Sequence, residues 1–517
     1  MNSGLVPLVE PLESTLDPVE ICSRFLDLPY LLFLDSASAR SSGGDAQQMQ
    51  QYSFLAADPV SVIRSKGPKT ERRDRNDAVW RPVAGDALSV ARSLLPLTEQ
   101  PSSQLPPFQG GLAGYIGYDW AAVLERLPRP RYDDLCISDV VLGLYDWVIA
   151  WDHRHDAAWI ISTGLPETGA ARRHRARERL AMVRGRVGGE WGGYPLAGGS
   201  AAGQRGRFGG ADRTEAADIH PAAPSYPVTD LPGVAEIALR STFTHRGYLD
   251  TVQRVRDYII AGDIFQANLS QRFQTSLREE PFELYCRLRQ RNPAPFAAYL
   301  DFGDLQILSA SPERFLRLDP ERQMVETRPI KGTRPRGLGP MHDAALGRAL
   351  AESQKDRAEN VMIVDLLRND LSRVCRPGSV RVPELFAIEH HPTVHHLVST
   401  VIGELEEGST AFDLIRATFP GGSITGAPKV RAMEIIAELE PTQRGVYCGS
   451  IGYLSVTGAL DASIVIRTYL VLRGQVYFQA GGGIVADSDP ELEYRETLDK
   501  ARGLIETLVA SERLLRQ

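Results

Sequence analysis

YLVLRGQVYFQAGGGIVADSDPELEYRETLDKARGLIETLVASERLL, residues 469–515, sets two kinds of secondary structure end to end. The run 469–485 reads as strand, rich in β-branched and aromatic residues and punctuated by glycine. Residues 491–515 read as one long helix. The same mixture extends upstream. ENVMIVDLLRNDLSRV (359–374) is a predicted helix, and so is YLDTVQRVRDYIIAGD (248–263), with apolar positions at Leu249, Val252, Val255, Ile259 and Ile260 and a stop at Gly262. Nearer the N-terminus, YLLFLD (30–35), YSFLAADP (52–59) and DVVLGLYDWVIAWD (139–152) read as strands. The pattern by itself gives a mixed α and β protein without a repeat of fixed period.

Three regions emerge: residues 1–186, rich in strands; residues 187–240, expected to be a flexible glycine-rich insertion; and residues 241–517, where motifs concentrate. The basic run RRHRARERLAMVRGRV before the insertion is expected to form a helix with a solvated face. Composition is that of an ordinary globular chain, 43% hydrophobic and 24% charged. The net charge of -7 gives no general reason to bind nucleic acid, so an acidic substrate would need a local cationic pocket. Five cysteines without a CxxC pair argue against zinc and disulfide frameworks and favour a reducing cytoplasm. The N-terminal residues lack the basic start and apolar run of a signal peptide, and no membrane span is expected.

Three features carry possible chemistry. TRPIKGTRPRG (327–337) places Lys331 among arginines in a loop stiffened by prolines. Like-charge repulsion and partial burial would lower the lysine pKa and free its amine as a nucleophile; a solvated or phosphate-binding loop is the alternative. Asp356 with Glu359, and Glu493 with Glu496, are acidic pairs three residues apart, each on one helical face. Brought together they would offer hard oxygen ligands suited to Mg2+, and otherwise they are surface charges. PGGSITGAPKVRAMEII (420–436) runs from glycines into a helix, either as an anion cradle or as a plain helix start, and Gly481–Gly483 would let a ligand approach the backbone.

Taken in order, ILSASPERF (307–315), TRPIKGTRPRG, DRAENVMIVDLLRNDL (356–371), HHLVSTVIGEL (395–405), GAPKVRAMEII and GGGIVADSDPELEYRET resemble the chorismate-utilising enzymes. The resemblance is close over about 245–505 and looser through FQGGLAGYIGYD (108–119). It implies an α/β (α+β) fold in which two large β-sheets pack as a sandwich with flanking helices. In this family the residue after Pro-Ile separates anthranilate synthases, typically alanine, from aminodeoxychorismate synthases, typically lysine. Lys331 implies the second branch, which makes 4-amino-4-deoxychorismate on the way to 4-aminobenzoate and folate.

The resemblance further implies roles. Lys331 would attack C2 of chorismate as the C4 hydroxyl leaves, and Glu313 would protonate that oxygen. Glu359 and Glu496 would hold Mg2+, with Glu493 and Asp356 beside them. His396 would lie against the ring, Tyr447 and Arg467 would take the enolpyruvyl carboxylate, and backbone near Thr425, Gly426, Gly482 and Gly483 would complete the pocket. Gln266 stands where isochorismate and salicylate synthases place a lysine base, which disfavours hydration at C2. The N-terminal half resembles the family's tryptophan-binding region, with Ser36 as a possible contact. No cysteine sits in an amidotransferase elbow, so ammonia is expected from a separate glutamine amidotransferase small subunit, and loss of pyruvate from another enzyme. Two other readings stay open: an anthranilate synthase component carrying lysine at 331, and a non-catalytic chorismate or tryptophan sensor.

Overall fold

The strand Trp147–Asp152 is buried at every position, and its side chains alternate between two cores: Trp147, Ile149 and Trp151 join one apolar cluster, Val148 and Ala150 another. Leu112, Ala113, Tyr115 and Ile116 in Gly111–Ile116 divide in the same way. Both faces of each sheet are therefore covered, which explains why these runs lack polar alternation. The computed structural model describes residues 6–13, 16–36, 51–97, 104–189, 222–231, 233–391 and 394–515.

Among the described residues the strands form two antiparallel sheets, of 13 and 12 strands. The first runs from Leu8–Leu12 through Trp147–Asp152, Leu31–Asp35, Phe296–Asp301, Leu305–Ser311 and Thr468–Leu472 to Gln475–Ile484 and Gln266–Ser276. The second runs from Ile330–Pro335 through Val394–Glu404, Arg314–Asp319, Leu460–Ile464, Ser450–Ser455 and Gly111–Ile116 to Ser61–Lys66 and Lys69–Asp74. Leu32, Phe54, Ala298 and Ile307 of the first sheet meet Val62, Tyr115, Ile451 and Tyr453 of the second in one cluster, so the sheets pack face to face. Helices His245–Ile260, Pro281–Arg291 and Pro490–Leu515 cover the outer face of the first sheet, and Ala87–Leu94, Gln354–Ser372 and Ala411–Thr418 that of the second.

The run 139–152 is two strands. Val140–Tyr145 belongs to the second sheet and Trp147–Asp152 to the first, so the chain changes sheet at Asp146. That fully buried carboxylate receives Arg175 and Arg179 from the helix Gly169–Val187, each at 2.9 Å. Arg186 likewise reaches Asp27 at 2.7 Å. The basic helix has the expected solvated face, with Arg173, Arg177 and Arg184 exposed, and turns Arg175 and Arg179 inward because buried Asp146 must be paired. Residues 190–221 of the expected insertion lie outside the described residues. Its later part is packed: Tyr226–Pro227 and Arg240–Ser241 extend the first sheet, while Val234 and Leu239 are buried. Regions 1–186 and 241–517 share both sheets, with Leu31–Asp35 paired to Phe296–Asp301 and Gly111–Ile116 to Ser450–Ser455. Among the described residues no helix is long and apolar enough to cross a membrane.

Candidate active site

Lys331 owes its position to a fault in a strand. Pairing of Ile330–Pro335 with Val394–Glu404 shifts register between Ile330 and Thr333, which takes Lys331 and Gly332 out of the ladder. Gly332 has φ +87°, and a Cβ there would lie 2.9 Å from the Asp356 carboxyl carbon, so glycine lets the helix Gln354–Ser372 come close. The Lys331 ammonium donates to the Ser423 carbonyl at 3.0 Å. Burial pushes its pKa down, with Lys500 acting in the same sense, against the charges of Glu359, Glu313 and Glu496.

Glu313 follows the strand Leu305–Ser311 and is 4% exposed. Its backbone N–H donates to Ser311 Oγ at 3.3 Å and its carbonyl accepts from Ile464 at 3.0 Å, which fixes the residue between two strands. Burial raises its carboxyl to about 7, even though the Ser423 hydroxyl, the Lys331 charge, the Ile330 N–H and Arg467 all oppose it. A carboxyl that holds a proton near neutrality and an amine with a weakened grip on one therefore share Ser423.

His396 is buried opposite Thr333, whose Oγ1 lies 2.9 Å from its Nδ1. Burial, and then Arg467, His391 and His395, hold its pKa well below the ordinary value, so it presents a neutral ring. Arg467 has φ +51°, a strained conformation for arginine, and faces Glu313; burial lowers its pKa. Tyr447 is brought near by Cys448, whose N–H donates to Val465 at 2.7 Å, two residues before Arg467. Cys448 itself is fully buried and its thiol is pushed up to about 12, as fits a small core residue. Thr425 is buried, its carbonyl accepting from Asn268 N–H at 2.7 Å. Gly426 pairs with Ala267, and a Cβ on it would fall 2.1 Å from the Gln266 carbonyl. Buried Gln266 fits because residue 483 has no side chain: a Cβ there would sit 2.1 Å from its Nε2. Gln266 Oε1 has no hydrogen-bond partner among the described residues.

Glu493 and Glu496 meet at Gly482, where a Cβ would lie 3.2 Å from Glu496 Oε1 and 3.3 Å from Glu493 Oε2. Across from them Glu359 on Gln354–Ser372 feels both Glu496 and Asp356. Burial raises the pKa of Glu359 and of Glu493, and the neighbouring carboxylates add to it. Lys500 holds Glu496 at 2.7 Å and lowers its pKa, while Lys355 stands 3.8 Å from Glu493. Asp356 is committed to Arg334 at 2.8 Å. Among the described residues no three His, Cys, Asp or Glu side chains form a ready-made metal cluster. The donors are nonetheless hard carboxylate oxygens, a set that suits Mg2+ rather than a soft metal.

Ser36 lies apart from this set in its contacts: its hydroxyl donates to the Tyr52 carbonyl at 2.7 Å and its N–H to Ser53 Oγ at 3.0 Å. Sequence reasoning missed Ser423, Thr333, Lys355, Lys429 and Lys500. Lys500 carried a legible signal, four residues beyond Glu496 on one helix. In the run 420–436, expected as an anion cradle or a plain helix start, the Pro420 and Ser423 carbonyls, with that of Thr418 just before it, accept from Lys429 and Lys331.

The chain belongs to the chorismate binding enzyme family, whose pattern matches residues 42–506. It is 41% identical over 483 residues to aminodeoxychorismate synthase component 1 of Salmonella typhimurium, covering 93% of each chain. It is 40% identical over 452 residues to anthranilate synthase component 1 of Thermus thermophilus, covering 87% of this chain and 86% of that one. The crystal structure of anthranilate synthase component I from Streptococcus pneumoniae matches with a TM-score of 0.71 at 30% identity, over 90% of this chain and 93% of that one. The family and fold read from the sequence are borne out.

Proposed function

We propose that the protein is an aminodeoxychorismate synthase large subunit, which replaces the C4 hydroxyl of chorismate with an amino group. The observation that carries this reading is the pairing of a buried, pKa-lowered Lys331 with Glu313, held near 7, about one shared residue, Ser423. Lys331 attacks C2; the ring double bonds shift towards C4, and the C4 hydroxyl leaves as water with the Glu313 proton. Ammonia then bonds to C4, the double bonds return, and the C2–N bond to Lys331 breaks. Neutral His396 offers a ring face without adding charge, and Arg467 receives a carboxylate. Glu359, Glu493 and Glu496 would hold Mg2+, with Asp356 close by; the ion supplies charge that grips the ring carboxylate. Ammonia comes from a glutamine amidotransferase partner or from free ammonium.

Incubation with chorismate, Mg2+ and ammonium should yield 4-amino-4-deoxychorismate without pyruvate, and intact-mass spectrometry should detect an adduct that Lys331→Ala loses. Near-equal identity to an anthranilate synthase component supports a second reading. Anthranilate and pyruvate formed without an added lyase would establish that reading instead, and binding of chorismate without turnover would leave only a sensor.

A further inference from the structure

Lys500 takes no part in the reaction steps above. It follows Glu496 and Glu493 on the helix Pro490–Leu515 at a spacing that puts all three side chains on one face. Its ammonium lies 2.7 Å from Glu496 Oε1 and donates to the Gly481 carbonyl at 2.9 Å. Glu496 Oε1 and Glu493 Oε2 are the two oxygens turned towards Gly482, and the first of them thus already carries a cation. The other Glu493 oxygen is engaged differently: Ser488 Oγ donates to it at 2.7 Å, and Lys355 stands 3.8 Å away.

As an ion pair, Lys500 with Glu496 is ordinary. Both side chains are close to half exposed, and a pair of that kind stabilises a helix little. The second bond sets it apart. Gly481 belongs to the strand Gln475–Ile484, so a carbonyl of the sheet holds the ammonium beside the carboxylates, where a free lysine stem would swing into solvent.

We propose that Lys500 is a built-in competitor of the divalent metal: its ammonium and Mg2+ contend for Glu496 Oε1, and the Gly481 carbonyl keeps the displaced ammonium close enough to oppose the ion. The inference rests on the reading that Glu359, Glu493 and Glu496 take Mg2+. Lys500 then sets the divalent-ion concentration at which the site fills. An ammonium about 4 Å from a doubly charged ion lowers its affinity by about tenfold or more, even at the dielectric of water.

Mn2+ is the probe, because electron paramagnetic resonance counts the free ion. Titrations of the full chain at fixed pH and ionic strength, without ammonium, compare the wild type with Lys500→Met, Lys500→Arg, Lys355→Met and Glu359→Gln. Lys500→Met should bind Mn2+ about tenfold tighter than the wild type, whereas Lys500→Arg, which keeps the charge, should stay within about threefold of it. Lys355 lies beyond hydrogen-bond reach of Glu493, so Lys355→Met should gain about threefold or less. Equal gains from the two methionine variants would make Lys500 one charge among others and overturn the competition. An Mn2+ affinity indifferent to Lys500 would overturn it as well. Loss of a half-exposed pair leaves Lys500→Met folded, which permits a second readout. One subsaturating Mg2+ concentration should raise the melting temperature of Lys500→Met more than that of the wild type, and equal shifts would count against the competition. Mn2+ binding that is lost in Glu359→Gln but unmoved by Lys500→Met would keep the metal reading and sink the inference. No Mn2+ bound by any of these proteins would sink both.

Discussion

Burial moves Lys331 and Glu313 in opposite directions, because it penalises a cation on one and an anion on the other. The sequence suggested that neighbouring arginines would depress the lysine; in the structure burial acts first and Lys500 assists, while Arg334 is spent on Asp356. Glu313 is protonated below about 7, so its acid role is present there and is lost as pH rises through that value. The kcat/KM for amination should therefore fall on the alkaline side of about pH 7, and on the acid side as Lys331 takes up its proton. In Glu313→Gln the alkaline limb should vanish together with ~10²–10⁴-fold of kcat. A pH profile left unaltered by that substitution would remove Glu313 from the chemistry. The identity of both residues was legible in their motifs. Their protonation was not, since burial is set by residues distant in sequence.

Between residue and molecule stands the loop from Thr418 to Ala427, which carries Ser423, Thr425 and Gly426. Its anchor is Lys429 at the start of the helix Lys429–Leu439, donating to Asp370 Oδ2 at 2.5 Å and to the Thr418 and Pro420 carbonyls at 2.9 Å each. Lys429→Met leaves Asp370 buried without its counter-ion, a loss of about 3–5 kcal/mol. Urea denaturation should read that loss, and the surviving folded enzyme should show a lower kcat, since Ser423 serves both Lys331 and Glu313. Stability within about 1 kcal/mol of wild type, less than any buried-pair loss, would show that the loop does not depend on this anchor. Periodicity foretold the helix, but it gave no hint that a two-residue strand, Gly426–Ala427, would precede it and pair with Gln266–Ala267. Such a pairing depends on a strand about 160 residues away, beyond any local pattern.

At the scale of the whole molecule the two sequence regions depend on one another. Residues 241–517 expressed alone would expose the edge of Phe296–Asp301 left by Leu31–Asp35 and that of Ser450–Ser455 left by Gly111–Ile116. That fragment should aggregate or remain unfolded, and the full chain should show coincident unfolding by circular dichroism and tryptophan fluorescence. A soluble, cooperatively melting fragment would contradict this. The sequence by itself determined which chemical groups are present, the mixed α and β composition, and the family, because residue type and motif order are properties of the chain alone. Only the tertiary structure decided that the run 139–152 divides between two sheets, that a register shift frees Lys331 from its strand, and that Gly482 and Gly483 make room for carboxylates and Gln266. Each of these is fixed by atoms far apart in sequence coming within a few ångströms, and no local pattern of residues encodes that.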